Sequence, residues 1–195
     1  MGYMNATDTR SIIAIGISGS PSPRSKSRLL LEHALGVLGE HGASTSLIDL
    51  ATLPADALLG RVRSTEVDEA LAAVSRATIV VASTPVYRAT YTGLLKVFFD
   101  LLAPDGLAGK TAIAIATGGA PAHHLVIDYG LRPLFASVGA LTAPTGIYGT
   151  DASFEQGAPH QTLLDRIARA ADEAIALADP LQRALPHAAS TNARS

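Results

Sequence analysis

The 195-residue chain is long enough to form one domain of ordinary size with a substantial buried core. Hydrophobic residues make up 48% of it and charged residues 16%, which indicates a globular and not a disordered protein. A formal net charge of −2 argues against a nucleic-acid-binding surface, and the absence of cysteine excludes disulfides, thiolate catalysis and cysteine-based metal sites.

The N-terminal sequence shows no targeting signal. The apolar run at residues 12–17 is shorter than the core of a signal peptide, and no stretch approaches the ~18 apolar residues of a membrane span. Met1-Gly2 begins like a myristoylation site, but Ala6 stands where that motif has Ser or Thr. The sequence therefore predicts a cytoplasmic protein without a membrane segment.

Short, continuous apolar runs alternate with longer amphipathic stretches along the chain. The short runs predict five strands, at residues 11–18, 44–49, 78–83, 111–117 and 141–148. The longer stretches predict five helices, at residues 27–40, 65–76, 92–102, 122–138 and 161–178. Ser64 is the expected N-cap of the second helix, and the irregular stretch 50–63 is expected to be a loop.

This strict alternation predicts an α/β fold. Parallel strands need right-handed crossovers, whose helices cover both faces of the sheet. Five strands fit a flavodoxin-like, doubly wound parallel sheet in a three-layer α/β/α arrangement. We expect one domain over residues 11–180, a flexible N-terminus at 1–10 and a flexible C-terminal tail at 181–195.

Ligands of open α/β sheets bind beyond the carboxyl ends of the strands. After the first predicted strand, residues 19–27 read GSPSPRSKS, with four hydroxyls and two cations before a helix. Amides at a helix start bind anions, and hydroxyls and cations add to that attraction. Neither the Walker A pattern nor the dinucleotide glycine pattern is present. A site for a terminal monophosphate is therefore favoured over the alternative, an ordinary polar loop with Ser27 as N-cap.

The segments after the third and fourth predicted strands could accept a flat ring. Residues 84–93 (TPVYRATYTG) hold a proline and two tyrosines, which either wall a planar ligand or cap the core or a subunit interface. Residues 117–124 (TGGAPAHH) hold paired glycines, which either admit a planar ligand or make a tight turn. Adjacent His123 and His124 point apart on a helix, so no metal site is expected. Asp49 is expected to cap a loop.

Three segments together resemble the NAD(P)H-dependent FMN reductases, a family of flavodoxin-like enzymes. They are residues 19–27, 84–100 (TPVYRATYTGLLKVFFD) and 117–133 (TGGAPAHHLVIDYGLRP), and the similarity extends to about residue 148. The chain is most similar to the branch that supplies reduced FMN to alkanesulfonate monooxygenases in two-component systems. The resemblance implies hydride transfer from NADPH or NADH to FMN, a homotetramer and a transient monooxygenase partner.

The resemblance also implies roles for particular residues. It assigns the FMN phosphate to polar residues of the first loop: Ser20, Arg24, Ser25, Lys26 and Ser27. It assigns the flavin ring to the other two loops: Pro85, Val86, Tyr87, Thr117, Gly118 and Gly119. In this branch the fourth helix carries an inserted residue that makes a π-bulge, and the family's tyrosine there matches Tyr129, a candidate gate for flavin exchange. Gly130 and Arg132 depart from the family, which has a helix-favouring residue and a lysine there.

Hydride transfer between a nicotinamide and a flavin needs no acid–base triad, because the cofactors carry the chemistry. No catalytic residue is therefore assigned. Two alternatives stay open: a flavoprotein that retains FMN and reduces quinones, azo dyes or metal ions, and a non-enzymatic flavodoxin-like electron carrier. Such carriers are usually strongly acidic, and a charge of −2 counts against that class.

The apolar stretch at 94–102 (LLKVFFDLL) predicts burial in a subunit interface, most simply that of a tetramer.

Overall fold

The computed structural model describes residues 11–184, which form a parallel sheet between two layers of helices. The strands are β1 (Ile13–Ser18), β2 (Ser44–Asp49), β3 (Ile79–Pro85), β4 (Thr111–Thr117), β5 (Leu141–Thr142), β6 (Ile147–Gly149), β7 (Phe154–Glu155) and β8 (Ala158–Pro159). The α-helices are α1 (Lys26–Glu40), α2 (Ala55–Leu58), α3 (Thr65–Arg76), α4 (Gly93–Asp100), α5 (Arg132–Ser137) and α6 (Gln161–Ala184). The predicted flexible N-terminus, 1–10, and residues 185–195 of the predicted C-terminal tail, 181–195, lie outside the described residues.

The strand order confirms the flavodoxin-like prediction. The strands run β2-β1-β3-β4-β5, and β6 also pairs with β4, with every pairing in this sheet parallel. The predicted fifth strand is thus one strand position occupied by two short pieces. Pro144 lies between them and has no N–H for the ladder, which gives a local reason for the interruption.

The two faces of the sheet carry separate cores. Alternate side chains of the central strands point to opposite faces, as Val80 and Val81 do. One face packs against α2, α3, α4 and α5, and the other against α1 and α6. All seven residues of β4 are buried, as a central parallel strand requires.

Two predicted elements need correction here. The expected loop at 50–63 contains a 3₁₀ turn (Leu50–Thr52) and the short helix α2. Helix α6 continues past the predicted end at residue 178 and through the start of the predicted tail, because a proline removes one helical hydrogen bond without ending the helix. Ser64 caps α3 as predicted, since its hydroxyl accepts from the Val67 amide. None of the helices within 11–184 is both long and apolar enough to cross a membrane.

The predicted fourth helix, 122–138, is three consecutive segments. It begins as a 3₁₀ helix (Pro121–Leu125), widens into a π-helical turn (Ile127–Leu131) and ends as α5. The π geometry that the resemblance implied is therefore confirmed, and we call Ile127–Leu131 the π turn. Pro133 follows it closely, and in a regular α-helix its ring would crowd the Tyr129 carbonyl.

Candidate functional site

The three segments singled out in the sequence meet at the carboxyl edge of the sheet. The Gly19 amide donates to the Ser83 carbonyl over 2.8 Å, which joins the ends of β1 and β3. The Val86 amide donates to the Thr117 carbonyl over 2.7 Å, which joins the ends of β3 and β4. One continuous edge therefore carries residues 19–27, which we call the first loop, residues 84–93, which we call the aromatic loop, and the glycine pair Gly118 and Gly119.

The first loop leads into α1 with its helix start uncapped. Ser25 is the N-cap, in extended backbone and with no side-chain capping bond, so the alternative in which Ser27 is the N-cap is wrong. The Ser25 and Ser27 hydroxyls lie 2.8 Å apart, and no acidic residue occupies the first turn. Ser20 is buried, and its Oγ accepts from the Ser22 amide over 3.1 Å. A helix start with free amides, hydroxyls and no carboxylate suits an anion.

The two cations of the first loop have different surroundings. Arg24 is exposed. Lys26 Nζ instead lies 2.8 Å from Asp151 Oδ1 and 5.0 Å from the centre of the Phe154 ring. Lys26 therefore ties the start of α1 to the segment after β6, and its charge is shared with a carboxylate.

The aromatic loop is a tight two-residue hairpin. Tyr87 and Thr90 exchange backbone hydrogen bonds, and the two residues between them, Arg88 and Ala89, have φ of 52° and 67°. Left-handed backbone costs a non-glycine residue roughly 1 kcal/mol or more, and such strain gathers at functional sites. The turn leaves Tyr87 51% exposed, while Pro85 and Val86 are half-buried.

Two threonines that sequence reasoning missed hold the loops together. Thr92 Oγ1 donates to the Gly19 carbonyl over 2.6 Å and accepts from the Leu95 amide as the N-cap of α4. Thr84 Oγ1 accepts from the Thr92 amide over 3.0 Å. Both side chains are buried. The available signal was the position of Thr92 before an apolar helix, which is typical of an N-cap.

The two glycines after β4 have different local roles. A Cβ on Gly118 would stand 2.6 Å from Tyr148 Oη, so the backbone passes too closely for a side chain. A Cβ on Gly119 would meet nothing within 4 Å and would project into open space at the site. Burial, with a smaller contribution from Asp151, raises the pKa of Tyr148, and its phenol donates to the Ala120 carbonyl over 2.7 Å. Gly119 thus leaves room for a ligand that lies along the backbone.

Asp49 and His124, two further polar residues near this edge, have structural contacts, whereas His123 Nδ1 is buried without a hydrogen-bond partner. Asp49 Oδ1 accepts from the Ala51 amide and the other carboxylate oxygen pairs with Arg28, which confirms its predicted capping role. His124 Nδ1 lies 2.9 Å from the Pro121 carbonyl. Within residues 11–184, no group of three or more histidine and acidic side chains could hold a metal ion.

The π turn lies against the aromatic loop. A Cβ on Gly130 would stand 3.2 Å from Tyr91 Cδ1 and 3.4 Å from Thr90 Oγ1, which accounts for glycine at this departure from the family pattern. Tyr129 points outward and is 82% exposed. The π turn therefore contacts the site through its glycine, and its tyrosine faces outward.

The residues at this edge fit a flat ring that ends in a phosphate. An uncapped helix start with hydroxyls can hold the phosphate, and the open backbone at Gly119 can face the ring. The strand order defines a flavodoxin-like fold, whose ligands bind at this edge. The model of the family described as NADPH-dependent FMN reductase matches residues 12–155, and the chain belongs to this family. It is accordingly an oxidoreductase that uses FMN and a reduced nicotinamide.

Individual relatives agree with this assignment. The chain is 38% identical over 141 residues to an FMN reductase (NADPH) of Pseudomonas putida, covering 72% of each chain. It is 36% identical over 168 residues to the NADH-dependent FMN reductase SfnE of Pseudomonas putida, covering 84% of this chain and 90% of the relative. The solved apo structure of the NADH:FMN oxidoreductase EMOB superposes with a TM-score of 0.76 at 33% identity, covering 93% and 94% of the two chains.

Proposed function

We propose that this chain transfers hydride from NADPH or NADH to FMN at the carboxyl edge of its sheet and releases reduced FMN to a flavin-dependent monooxygenase of the alkanesulfonate type. The observation that carries the proposal is the π turn, which lies beside the aromatic loop. A reductase that must release its flavin needs a site that can rearrange, and π-helical turns are often found at functional sites. Delivery of reduced FMN to such a monooxygenase would be a step in sulfur assimilation.

The first loop is proposed to hold the phosphate. The amides of the first turn of α1 and the hydroxyls of Ser20, Ser25 and Ser27 would donate to it, and exposed Arg24 would add charge. Lys26 would attract the phosphate electrostatically from a longer distance, because its ammonium group is already paired with Asp151. The buried threonines keep this loop in register with the aromatic loop, so the phosphate anchor and the ring site are positioned together.

The second and third loops are proposed to hold the ring. Pro85, Val86 and Tyr87 would contact one edge, and the backbone of Thr117, Gly118 and Gly119 the other. Bound FMN supplies the hydride acceptor, and the protein contributes orientation and exclusion of water. Tyr87 is exposed beside this edge, where it can pack against an incoming nicotinamide.

Tyr129 is proposed to gate flavin exchange in a tetramer. Tyr129 and Leu125 leave large apolar surfaces exposed on neighbouring turns, at 82% and 47%. Such surfaces are typical of an interface with another subunit. The apolar helix α4 gives less support than its sequence suggested, because Leu95, Phe98 and Phe99 are buried within the chain itself.

The proposal is tested on the purified full-length chain. We expect a colourless or weakly yellow protein that oxidises NADPH or NADH only when free FMN is added. Light scattering at micromolar concentration should give a tetramer. A protein that keeps stoichiometric FMN and passes electrons to quinones would instead be a retaining flavoprotein. A bound flavin with no NAD(P)H oxidation would indicate an electron carrier.

A further inference from the structure

The interruption of the fifth strand position is held firmly by α6. It comprises residues 143–146, between β5 and β6, and we call it the strand break. Arg166 donates to the Gly146 carbonyl through Nε at 3.1 Å and Nη2 at 2.7 Å. Glu173 accepts from the Thr145 amide at 2.6 Å and from its hydroxyl at 2.8 Å. Two charged side chains of one long helix therefore fix the backbone of the strand break.

On its other side the strand break is bonded to Arg132, the residue that follows the π turn. Arg132 Nη1 donates to the Ala143 carbonyl at 3.0 Å and Nη2 to the Pro144 carbonyl at 2.5 Å. Its Nε donates to Asp128 Oδ1 at 2.8 Å, within the π turn. All three guanidinium nitrogens are used. The single ammonium of a lysine has no fork geometry with which to reproduce this arrangement.

The two ends of the π turn are thus in contact with one rigid piece of backbone. Ile127, its first residue, packs so closely on Gly146 that a Cβ there would clash with Ile127 Cγ2. Arg132 holds the other end. Between them, Gly130 lies against Tyr91 and Thr90 of the aromatic loop. Displacement of either end would therefore alter the packing of the π turn on the loop that is proposed to contact the ring.

We propose that Arg132 is a positioning residue that clamps the π turn to the strand break and so limits how freely the flavin site opens. A backbone segment in an unfavourable conformation persists only where its surroundings over-determine it. Arg132 supplies three of those constraints from one side chain. The role in flavin exchange rests on the proposed function, whereas the clamp itself is a property of the flavin-free protein.

The test compares Arg132→Lys with a matched control, Arg166→Lys, in the full chain. Both changes weaken guanidinium bonds to carbonyls of the strand break, but only Arg132 touches the π turn. In flavin-free protein, Arg132→Lys should speed amide hydrogen exchange at residues 127–131 and leave β4 unchanged. It should also accelerate FMN release in stopped-flow measurements, roughly fivefold, as expected for weakened hydrogen bonds from a charged donor. Arg166→Lys should change both much less, because it reaches the π turn only through the contact of Ile127 with Gly146.

Three results would overturn the clamp. The first is a rate of hydrogen exchange at residues 127–131 in Arg132→Lys that equals the wild-type rate. The second is an increase in that rate in Arg166→Lys as large as in Arg132→Lys. The third is an equally large increase in Asp128→Asn, which removes only the exposed ion pair. Failure of the proposed function gives a different pattern. The wild-type chain would then keep its FMN through turnover, or would neither bind FMN nor oxidise NADPH or NADH, and the flavin part of the inference would fall while hydrogen exchange still reported on the clamp.

Discussion

The first loop and the π turn border the same site but are built in opposite ways. The first loop is fastened by buried hydroxyls, and its bonds to Thr92 and Ser83 lie inside the protein. The π turn has an irregular backbone, an outward tyrosine and a guanidinium anchor that is itself partly exposed. Buried short bonds resist opening, whereas an irregular surface turn opens at lower cost. This difference suits a site that recognises a phosphate firmly and still releases the whole flavin.

The largest expected effect concerns the first loop and its proposed phosphate site. Riboflavin lacks the phosphate, and each hydrogen bond to a charged group contributes roughly 1.5–3 kcal/mol. Loss of two such bonds should weaken binding at least about 100-fold relative to FMN. Fluorescence titration measures both affinities. Ser27→Ala should reduce the difference in binding affinity between FMN and riboflavin, whereas Ser22→Ala, in the exposed part of the loop, should leave that difference unchanged. Equal affinities for the two flavins would contradict the phosphate assignment.

Deletion of Tyr129 tests the role of the π turn in this comparison. Removing one residue from the π turn should favour a regular helix and slow flavin release. The variant should purify yellow and lose most multiple-turnover NADPH or NADH oxidation, roughly tenfold or more if release becomes limiting. It should still accept hydride in a single turnover. Tyr129→Ala, which keeps the backbone length, is the control for the side chain alone.

One folded outcome would refute this gating role. A deletion variant that purifies colourless and turns over free FMN at the wild-type rate would leave Tyr129 as a packing residue. An irregular helix that survives the deletion would point to Pro133, not the extra residue, as the cause of the wide turn.

The sequence predicted the regular elements better than the π turn and the strand break. Periodicity located β2, α3 and β4 to the residue, because each is a regular element with a uniform pattern. It treated residues 122–138 as one helix and 141–148 as one strand. Hydrophobic periodicity alone reveals neither a widened helical turn nor a missing hydrogen bond between paired strands. The π turn was expected only from resemblance to a family. The Arg132 clamp joins residues 11 positions apart through backbone carbonyls, which no side-chain pattern encodes.

Thr92 tests whether the firmness of the first loop depends on one buried hydroxyl. Thr92→Val keeps the shape but leaves the Gly19 carbonyl and the Leu95 amide without their partner. Unsatisfied buried groups cost roughly 1–3 kcal/mol, so the free energy of unfolding should fall by about that amount in urea titration. Thr92→Ser retains the hydroxyl and should lose about 1 kcal/mol or less. Equal losses in the two variants would show that the methyl group, not the hydroxyl, is important here.

The smallest effect concerns the strand break and depends on pH. Burial raises the pKa of Glu173, but hydrogen bonds from Thr145 and Arg169 outweigh it and leave the pKa below its ordinary value of 4.5. A carboxyl whose pKa is lower in the folded state stabilises the protein above its unfolded pKa and loses that contribution as pH falls through the folded pKa. Glu173→Gln should therefore lower the free energy of unfolding at pH 7 by about 1 kcal/mol. The difference from wild type should shrink as pH falls below 4.5. Urea titrations at neutral and acidic pH measure this difference in the free energy of unfolding. If the difference stays constant with pH, the charge of the Glu173 carboxylate contributes nothing to stability beyond the shape of the side chain.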